Sequence, residues 1–593
     1  MDESERPRRR FLRSRGRRIG VAVGAIAVAA FGVLWVQRVP IATDFIDREL
    51  VRDGVAARYH ITDLGVGRQR LTNVVIGDPA NPDLVADWVE TYTAIGLTGP
   101  YVAGVRAGHV RVRARLADGK ISLGAIDRLL PAASNQQGFS LPAIDLGVED
   151  ARVRLETPYG VVGLKIAGDG RLDNGFHGTI AALSEEIAAG GCTLTRPNAV
   201  LKVTIGRDGP HVSGPVGIPE AQCGGVTLAG ARIGVSATIG TALDHWSGNV
   251  GLRADRLTGA GARAAAIGGT ISFAGNARRT EGSADLGSGP FALAAALGER
   301  LGVTGKWQVI DGRPTLAGDV RARGVALDDT TRRAIARAGG TGAGTPIAPL
   351  AQQLMAAAGG AARRFDITGN VGLARDGIFT LSGLSADAAS GARLALDDGS
   401  VPFGQAAGWR VNGAASLSGG GFPAARITMR QPAAGGALTG SATIAPYAAG
   451  GAALTLAPIS FASDARGHVT IRTAAALSGP LGDGRVENLR LPLVATVAGS
   501  AVTLNPMCTP LAFDRLAAGG VVLRQARLTL CPTGAALFDT RSGYGARIAA
   551  TRLEGAIGSS PLTLAATGGE VRAGGFTLAG VETRIGPADR RTA

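Results

Sequence analysis

The sequence predicts a mainly β protein: an N-terminal transmembrane helix, then an elongated, rolled antiparallel β-sheet with an apolar groove and a few short helices. Short runs of alternating apolar and polar residues recur from about Val51 onward, as in strands with one wet face. Turn-forming Gly, Asp, Asn and Pro return roughly every 8 to 15 positions. Glycine is abundant (90 of 593 residues) and aromatics make up only 4%, which suits many short turns better than a bulky closed core.

The N-terminus combines a basic tail with an uncharged segment. Eight arginines against three acids fall within residues 1–18, and Ile19 to Val36 carry no charge. As a helix this segment is about 27 Å long, enough to span a bilayer core. We therefore predict a cytoplasmic tail (1–18), a transmembrane signal anchor (19–37) and the bulk of the chain on the far side. A cleaved signal peptide is the alternative, but its candidate cleavage residues Ala25, Ala27 and Ala29 lie inside the apolar run.

The clearest strand is HVRVRARL, in which aliphatic residues alternate with Arg111, Arg113 and Arg115. ARVRLET (151–157) and AVLKVTIG (199–206) show the same period of two. Val, Leu, Ile and Ala on one side favour a rolled sheet with an apolar trough over two facing sheets with large residues between them. The candidate residues of this groove are Val110, Val112, Leu116, Val153, Leu155, Val203 and Ile205.

Helical patterns are local. ISLGAIDRLLP (121–131) suits a short helix ended by proline, LDDTTRRAIARA (327–338) begins with acids suited to a helix start, and residues 346–365 place Leu350 and Leu354 at helical spacing. We expect these helices to pack against a sheet. The predicted segments are an N-terminal β part (38–326), a helical insertion or hinge (327–365) and a C-terminal β part (366–593).

The stretch RLTNVVIGDPANPDLVADWVE (70–90) crowds Asp78, Asn81, Asp83 and Asp87 as a cation site might require. Their spacing does not match a calcium loop, and prolines stiffen the segment. The flanking runs both alternate, so we predict two strands joined by a turn.

Four cysteines form two separated pairs in sequence: Cys192 with Cys223, and Cys508 with Cys531. In an exported chain an even count indicates disulfides. Three pairings are open, and we choose the one that joins neighbours. No C-x-x-C occurs and no histidine is close to a cysteine in sequence, which argues against zinc.

Motifs of catalysis and of phosphate binding are not found in the sequence. Asp244 and His245 are adjacent, and strand alternation would place them on opposite faces. The formal charge is +15, but outside the tail +10 is spread over 575 residues without a dense basic run. We expect no enzymatic activity, no metal, no cofactor and no nucleic-acid binding.

Five segments together resemble a known family. They are YHITDLGVGRQRLTNVVIGDPANPDLVADWVE (59–90), LETPYGVVGLKIAGDGRL (155–172), the pair Cys192 and Cys223, TPIAPLAQQL (345–354) and RLTLCP (527–532). In this order, after a basic tail and an anchor, they resemble the YdbH family of AsmA-like envelope proteins, which is related to TamB. The likeness runs over most of the chain.

The resemblance implies a bridge-like lipid-transfer protein of the bacterial envelope. Such a protein is anchored in the inner membrane and carries phospholipids to the outer membrane along a periplasmic β-groove, with an outer-membrane lipoprotein as a further partner. Family members continue beyond the GPADRRTA at which this sequence stops; a fragment, a truncated product and a short member are all open interpretations. Two alternative functions are a TamB-like assembly factor for outer-membrane proteins and a surface, adhesin-like β-solenoid.

Overall fold

The computed structural model of the chain describes residues 48–586, except 49, 53, 66, 97–98, 118–119, 129–140, 243, 260, 339–342, 404–411, 434–435, 465–466, 500 and 573–574. The predicted tail (1–18) and transmembrane anchor (19–37) lie outside the described residues. Within the described part, no helix is both long and apolar enough to cross a membrane.

The described residues are mainly β, as predicted, and they divide into two compact units: those up to 253 together with 274–276, and residues 254–273 together with those from 277 onward. The strands of the first unit are β1 (Ala57–Leu64), β2 (Arg68–Asp78), β3 (Asn81–Gly96), β4 (Gly99–Gly108), β5 (Arg111–Ala117), β6 (Lys120–Ser122), β7 (Asp145–Thr157), β8 (Gly160–Arg171), β9 (His177–Leu183), β10 (Glu186–Ala189), β11 (Cys192–Thr195), β12 (Asn198–Gly206), β13 (Gly209–Cys223) and β14 (Val226–Ile239).

Two strands, β15 (His245–Gly259) and β16 (Ala262–Asn276), have residues in both units. The second unit continues with β17 (Arg279–Ser288), β18 (Phe291–Leu293), β19 (Ala296–Gly298), β20 (Arg300–Ile310), β21 (Arg313–Leu327), β22 (Phe365–Leu373), β23 (Phe379–Ala388), β24 (Arg393–Phe403), β25 (Asn412–Ser418), β26 (Ala425–Arg430), β27 (Thr439–Ile444), β28 (Tyr447–Ala449), β29 (Ala452–Leu456), β30 (Ile459–Ser463), β31 (Val469–Leu481), β32 (Gly484–Ala498), β33 (Ala501–Leu504), β34 (Thr509–Ala518), β35 (Val521–Pro532), β36 (Phe538–Asp539), β37 (Gly543–Ile548), β38 (Thr551–Ile557), β39 (Ser560–Ala566), β40 (Gly568–Arg572), β41 (Gly575–Ala579) and β42 (Glu582–Ile585).

Most strands pair antiparallel with a neighbour close in sequence, so each unit is built as a meander. In the first unit the pairing runs from β1 through β2 and β3 to β4 and β5, then through β7, β8, β9, β12 and β13 to β14. In the second unit it runs from β17 through β20 to β27, then through β30, β31, β32, β34, β35, β38 and β39 to β42. The prediction of a largely antiparallel sheet is confirmed.

Strand β7 is an exception, because it runs parallel to both β4 and β5. Strands β4 and β5 lie end to end, and both pair with β3 on one side and with β7 on the other. The break between them is at His109 (φ 53°). The chain then returns toward the start of β4 before β7 begins, so β7 points the same way. Alternation alone does not reveal this return, and the sequence prediction missed it.

The segment 70–90 is a hairpin. Asp78 and Asn81 lie opposite each other at the ends of β2 and β3, and the backbone N–H of Ala80 donates to the Asp78 carboxylate at 3.0 Å. The Asp83 carboxylate accepts from the N–H of Ala125 at 2.9 Å, which orients a neighbouring loop. The predicted turn is therefore confirmed.

Short helices accompany the strands, among them a 3-10 helix (Gly124–Arg128), α1 (Asp329–Ala338) and α2 (Ile347–Ala361). Asp328 caps α1 by accepting the N–H of Thr331 at 2.7 Å, and this hydrogen bond holds the pKa of Asp328 below its usual value. The expectation of a few short helices is confirmed, although the first of them is shorter than predicted.

The structure joins Cys192 to Cys223 and Cys508 to Cys531. Cys192 and Cys223 lie opposite each other in β11 and β13. Both bonds therefore link cysteines that are neighbours in the chain.

Candidate functional site

In the first unit, one row of apolar side chains crosses eight neighbouring strands. Each member lies opposite the next in the strand pairing, so the row occupies a single face, and each is half-buried. We call these residues the first apolar face: Leu84, Val112, Val153, Leu164, Ala182, Ala199, Val216 and Ile233.

The row one residue further along belongs to the other face; it is cationic across three strands and then continues as Ala181 and Val200. Val85 lies opposite Arg111, Arg111 opposite Arg152, and Arg152 opposite Lys165. The next row on this polar face contains Arg113 opposite Arg154. The two faces therefore differ in charge as sharply as the alternation predicts.

The structure brings several of the predicted groove residues together. Val110 (8% exposed) belongs to a core with Val74, Ala86 and Ala151, and Val112 packs against it. Val153 lies opposite Val112 and Leu164 in the first apolar face.

The remaining predicted residues lie further from this core. Leu155 is opposite Ala114 and Val162, and Val203 is opposite Gly178 and Val212. Ile205 is buried (7% exposed), whereas Leu116 is half-buried at the small pair β5–β6, opposite Ile121.

Sequence reasoning missed an aromatic residue on this side of the sheet. A Cβ added at Gly168 or Gly178 would come within 2.8 Å and 3.0 Å of the Phe176 ring, so the ring stands over these two glycines. Gly178 lies opposite both Gly168 and Val203. The two glycines could have been noticed in the sequence, because each occupies an apolar-face position in the alternating pattern of its strand.

The second unit has a corresponding row, also across eight neighbouring strands. Its members lie opposite one another from β20 to β27, and Leu394 is the most exposed of them, at 51%. We call these residues the second apolar face: Leu301, Ala322, Ile367, Ala386, Leu394, Leu417, Ala425 and Ile444. The adjacent row on the other side reads Gly302, Arg321, Thr368, Ser385, Ala395, Ser416, Arg426 and Thr443.

The second apolar face continues toward the C-terminus. Ala442, two residues before Ile444, lies opposite Ile459, and Phe461 lies opposite Ile471. The period of two then leads to Leu477 (7% exposed), which lies opposite Leu489. Beyond it, a leucine-rich cluster forms around Val486, Phe513, Ala526 and Leu553, with Leu489, Leu511, Leu516, Leu523, Leu528 and Leu564 packed against it.

These faces are not the inside of a closed sandwich. Among the described residues, Val325 is the largest side chain that is less than 2% exposed. Two facing sheets would bury Leu, Ile and Phe completely between them. Half-buried aliphatic rows instead leave part of their apolar area exposed.

A concave space of about 970 Å³ in the first unit is lined by residues of both faces, among them Val112, Val153 and Leu164 of the first apolar face. Its lining includes Arg111, Arg152 and Lys165, all of which lie within 3.6 Å of the Asp150 carboxylate. Lys165 and Arg152 hold the pKa of Asp150 below its usual value. These cations are therefore in a solvated ion-pair network and do not interrupt the first apolar face.

Neither a metal centre nor a catalytic group emerges from the described residues. No cluster of three His, Cys, Asp or Glu side chains there could hold a metal ion. Asp244 and His245 are hydrogen-bonded at 2.7 Å, contrary to our expectation, because Asp244 precedes β15 and escapes strand alternation. Both side chains are 68% exposed, so this is a hydrogen bond at the protein surface.

The fold and these faces define a class: a mainly β protein whose units each carry one apolar and one polar face, with no catalytic constellation in the described part. The chain belongs to the YdbH-like family, whose sequence model, described as "Intermembrane phospholipid transport protein YdbH", matches residues 26–591. Comparisons with curated proteins and with solved structures give no match. The resemblance noted from the sequence is thus confirmed, and the family is one of lipid transport rather than of enzymes.

Proposed function

We propose that this chain conducts phospholipids between the inner and outer membranes of the bacterial envelope along a hydrophobic β-groove. Residues 19–37 anchor it in the inner membrane with a single span, residues 1–18 remain cytoplasmic, and the β-strands lie in the periplasm. Membership of the YdbH-like family supports the envelope location and the lipid cargo. The two disulfides suit an oxidising compartment.

The observation that carries the proposal is the uncharged row of apolar side chains on each unit, which leaves part of its area exposed. Burying a methylene of an acyl chain is worth about 0.8 kcal/mol. An apolar face therefore lets lipid tails leave a bilayer without entering water. In the first unit the groove comprises Val110, Val112, Leu116, Val153, Leu155, Val203 and Ile205, together with the rest of the first apolar face.

The charged residues on the opposite face are consistent with lipid tails being carried on the apolar face only. Arg111, Arg113 and Arg154 stand in solvent on the side away from the aliphatic row, where they keep that side wet. Phospholipid headgroups can remain in water at the rim of the groove, so transport requires no specific headgroup pocket. An outer-membrane lipoprotein is the proposed partner at the far end, on the strength of the family resemblance.

Site-specific photo-crosslinking in the full chain tests this function. A crosslinking amino acid at Val112 or Leu155 should capture phospholipid in cells, whereas one at Arg113, the next residue on the polar face, should not. Capture of an outer-membrane barrel polypeptide at Val112 and Leu155 would favour an assembly factor instead. Equal lipid capture at Val112 and Arg113 would contradict a one-sided groove.

A further inference from the structure

The two helices of the second unit cover part of the second apolar face. Leu350 of α2 is 5% exposed and packs against Ala452 and Leu477. Leu477 lies in β31, on the continuation of the second apolar face described above. The helix therefore forms a roof over a section of this face.

Glycines let this roof approach the sheet closely. A Cβ added at Gly450 would lie 2.7 Å from the Cβ of Pro349, and one at Gly479 would lie 3.0 Å from the Cβ of Pro346. Both glycines have positive φ, at 52° and 155°. The N–H of Gly482 also donates to the carbonyl of Gly344 at 2.9 Å, so the segment leading into α2 is tied to the sheet. The position of the roof is thus set by backbone contacts, which larger residues would prevent.

The two helices and the sheet also line an apolar chamber of about 290 Å³ that is open on one side. Its floor includes Ala386, Leu394 and Leu417 of the second apolar face, and its roof includes Ile335 of α1 with Ala358 and Ala361 of α2. Every residue that lines the chamber is apolar. Water would find no side-chain partner there, so the chamber favours an apolar occupant.

We propose that this chamber binds the methyl end of a single acyl chain. The inference rests on the proposed lipid-conducting function and adds a defined subsite to it. At about 30 Å³ per water-sized group, the chamber holds roughly ten such groups, which is part of one chain and far less than a two-tailed phospholipid. The lining offers no polar side chain to a headgroup, which therefore stays outside in water. The half-exposed Leu394 provides the way in from the second apolar face.

The first test places a photo-crosslinking amino acid at Leu394 in the full chain, with Ala395 as the matched position on the polar face of the same strand. Cells are supplied with fatty acids that carry a second, orthogonal tag either at the methyl end or next to the carboxyl group. We expect lipid capture at Leu394 and not at Ala395. Peptide mapping should place Leu394 against the methyl-end half of the acyl chain.

The second test fills the chamber with Ala392→Phe, since Ala392 lines it and is 5% exposed. Lipid capture at Leu394 should fall roughly tenfold, equivalent to the loss of about two methylene groups from the contact. Capture at Val112, in the other unit, should not change. If Ala392→Phe impairs folding, Ala388→Leu provides a smaller filling of the same space.

The outcomes separate the two proposals. Lipid at Val112 but none at Leu394, or mapping that places the carboxyl end against Leu394, overturns the chamber and leaves the groove intact. Capture at Leu394 that is unaffected by either filling variant also overturns the chamber. Absence of lipid at both Val112 and Leu394 overturns the groove and the chamber together.

Discussion

Val112 and Val153 lie opposite each other in the neighbouring parallel strands β5 and β7, and one residue further along Arg113 lies opposite Arg154 on the other face. A change of one position thus exchanges an aliphatic pair for two like charges. Like charges directly opposite each other are unfavourable in a sheet unless both are solvated or paired. Here Arg154 lies 3.4 Å from Glu156, and the Arg113 guanidinium donates a hydrogen bond to the side-chain oxygen of Asn81. Arg113 and Arg154 are thus paired on the exposed face, whereas the face of Val112 and Val153 carries no charge at this point.

The first prediction concerns charge in the groove. Val112→Arg with Leu155→Arg should lower phospholipid transfer by roughly tenfold or more, because a charged side chain in an apolar path must be desolvated when a tail passes. The measurement is transfer between donor and acceptor membranes by the full chain. Formation of both disulfides, checked by peptide mapping, reports whether the variant still folds.

The matched control places two arginines on the polar face of the same unit, as Thr204→Arg with Ser236→Arg. Both positions are exposed, so this variant should transfer lipid like the wild type. Equal loss in the two double variants would show that added charge, and not its location, is responsible. Wild-type transfer by the Val112 and Leu155 variant would contradict the groove.

Sequence reasoning found the strands and their faces because period-two alternation is a local property. It succeeded for Val112 and Val153 for this reason. Alternation fails where a bulge intervenes: Asp150 has φ 49°, and the pairing register shifts between Val148 and Ala151. Both of these residues pack in the same apolar core although they are three positions apart. Period-two alternation in the sequence does not show where a β-bulge shifts the residues that face the core.

Features that depend on distant contacts were also beyond the sequence. The helix formed by 347–361 could be expected from Leu350 and Leu354, but its packing on Leu477 depends on backbone space at Gly450 and Gly479. These glycines are distant from the helix in sequence and look like ordinary turn residues. The chamber under the helices was therefore not predicted.

The second prediction concerns the disulfides. Replacing Cys192 and Cys223 with serine should lower the free energy of unfolding by about 3.5 kcal/mol, from the loop-closure entropy of their 31-residue separation. The Cys508–Cys531 pair, separated by 23 residues, should contribute nearly as much. Denaturant unfolding of each double variant measures both values. Linked peptides other than 192–223 and 508–531 under non-reducing digestion would contradict this pairing.

The third prediction concerns a buried carboxylate. Glu90 is 6% exposed, lies 2.9 Å from Arg68 and 2.8 Å from Arg70, and accepts from the Tyr92 hydroxyl at 2.8 Å. Burial raises the pKa of Glu90, but the Tyr92 hydrogen bond and the two arginines outweigh it and lower the pKa overall. Glu90→Gln should therefore cost about 2 kcal/mol of stability at neutral pH.

The pH dependence follows from the sign of that shift. Because the folded pKa is depressed, the stability from ionised Glu90 is complete above its unfolded value of about 4.3 and is lost as the pH falls through the folded pKa. The gap in unfolding free energy between wild type and Glu90→Gln should thus narrow below about pH 4. Urea unfolding of both proteins across pH 3 to 7 measures this gap. A gap that stays constant would mean that ionisation of Glu90 does not stabilise the fold.

The fourth prediction concerns the roof of the second apolar face. Leu350→Ala should destabilise the attachment of α2 by about 3 kcal/mol, because it removes a buried side chain from its contact with Ala452 and Leu477. Hydrogen exchange of the backbone amides in 347–361 should accelerate accordingly, while that of β31 changes less. Ile347→Ala in the same helix is the matched control, since Ile347 is 55% exposed and its truncation should leave exchange nearly unchanged. Equal acceleration in both variants would mean that α2 is not held by Leu350, and the space beneath it would then lack a fixed roof.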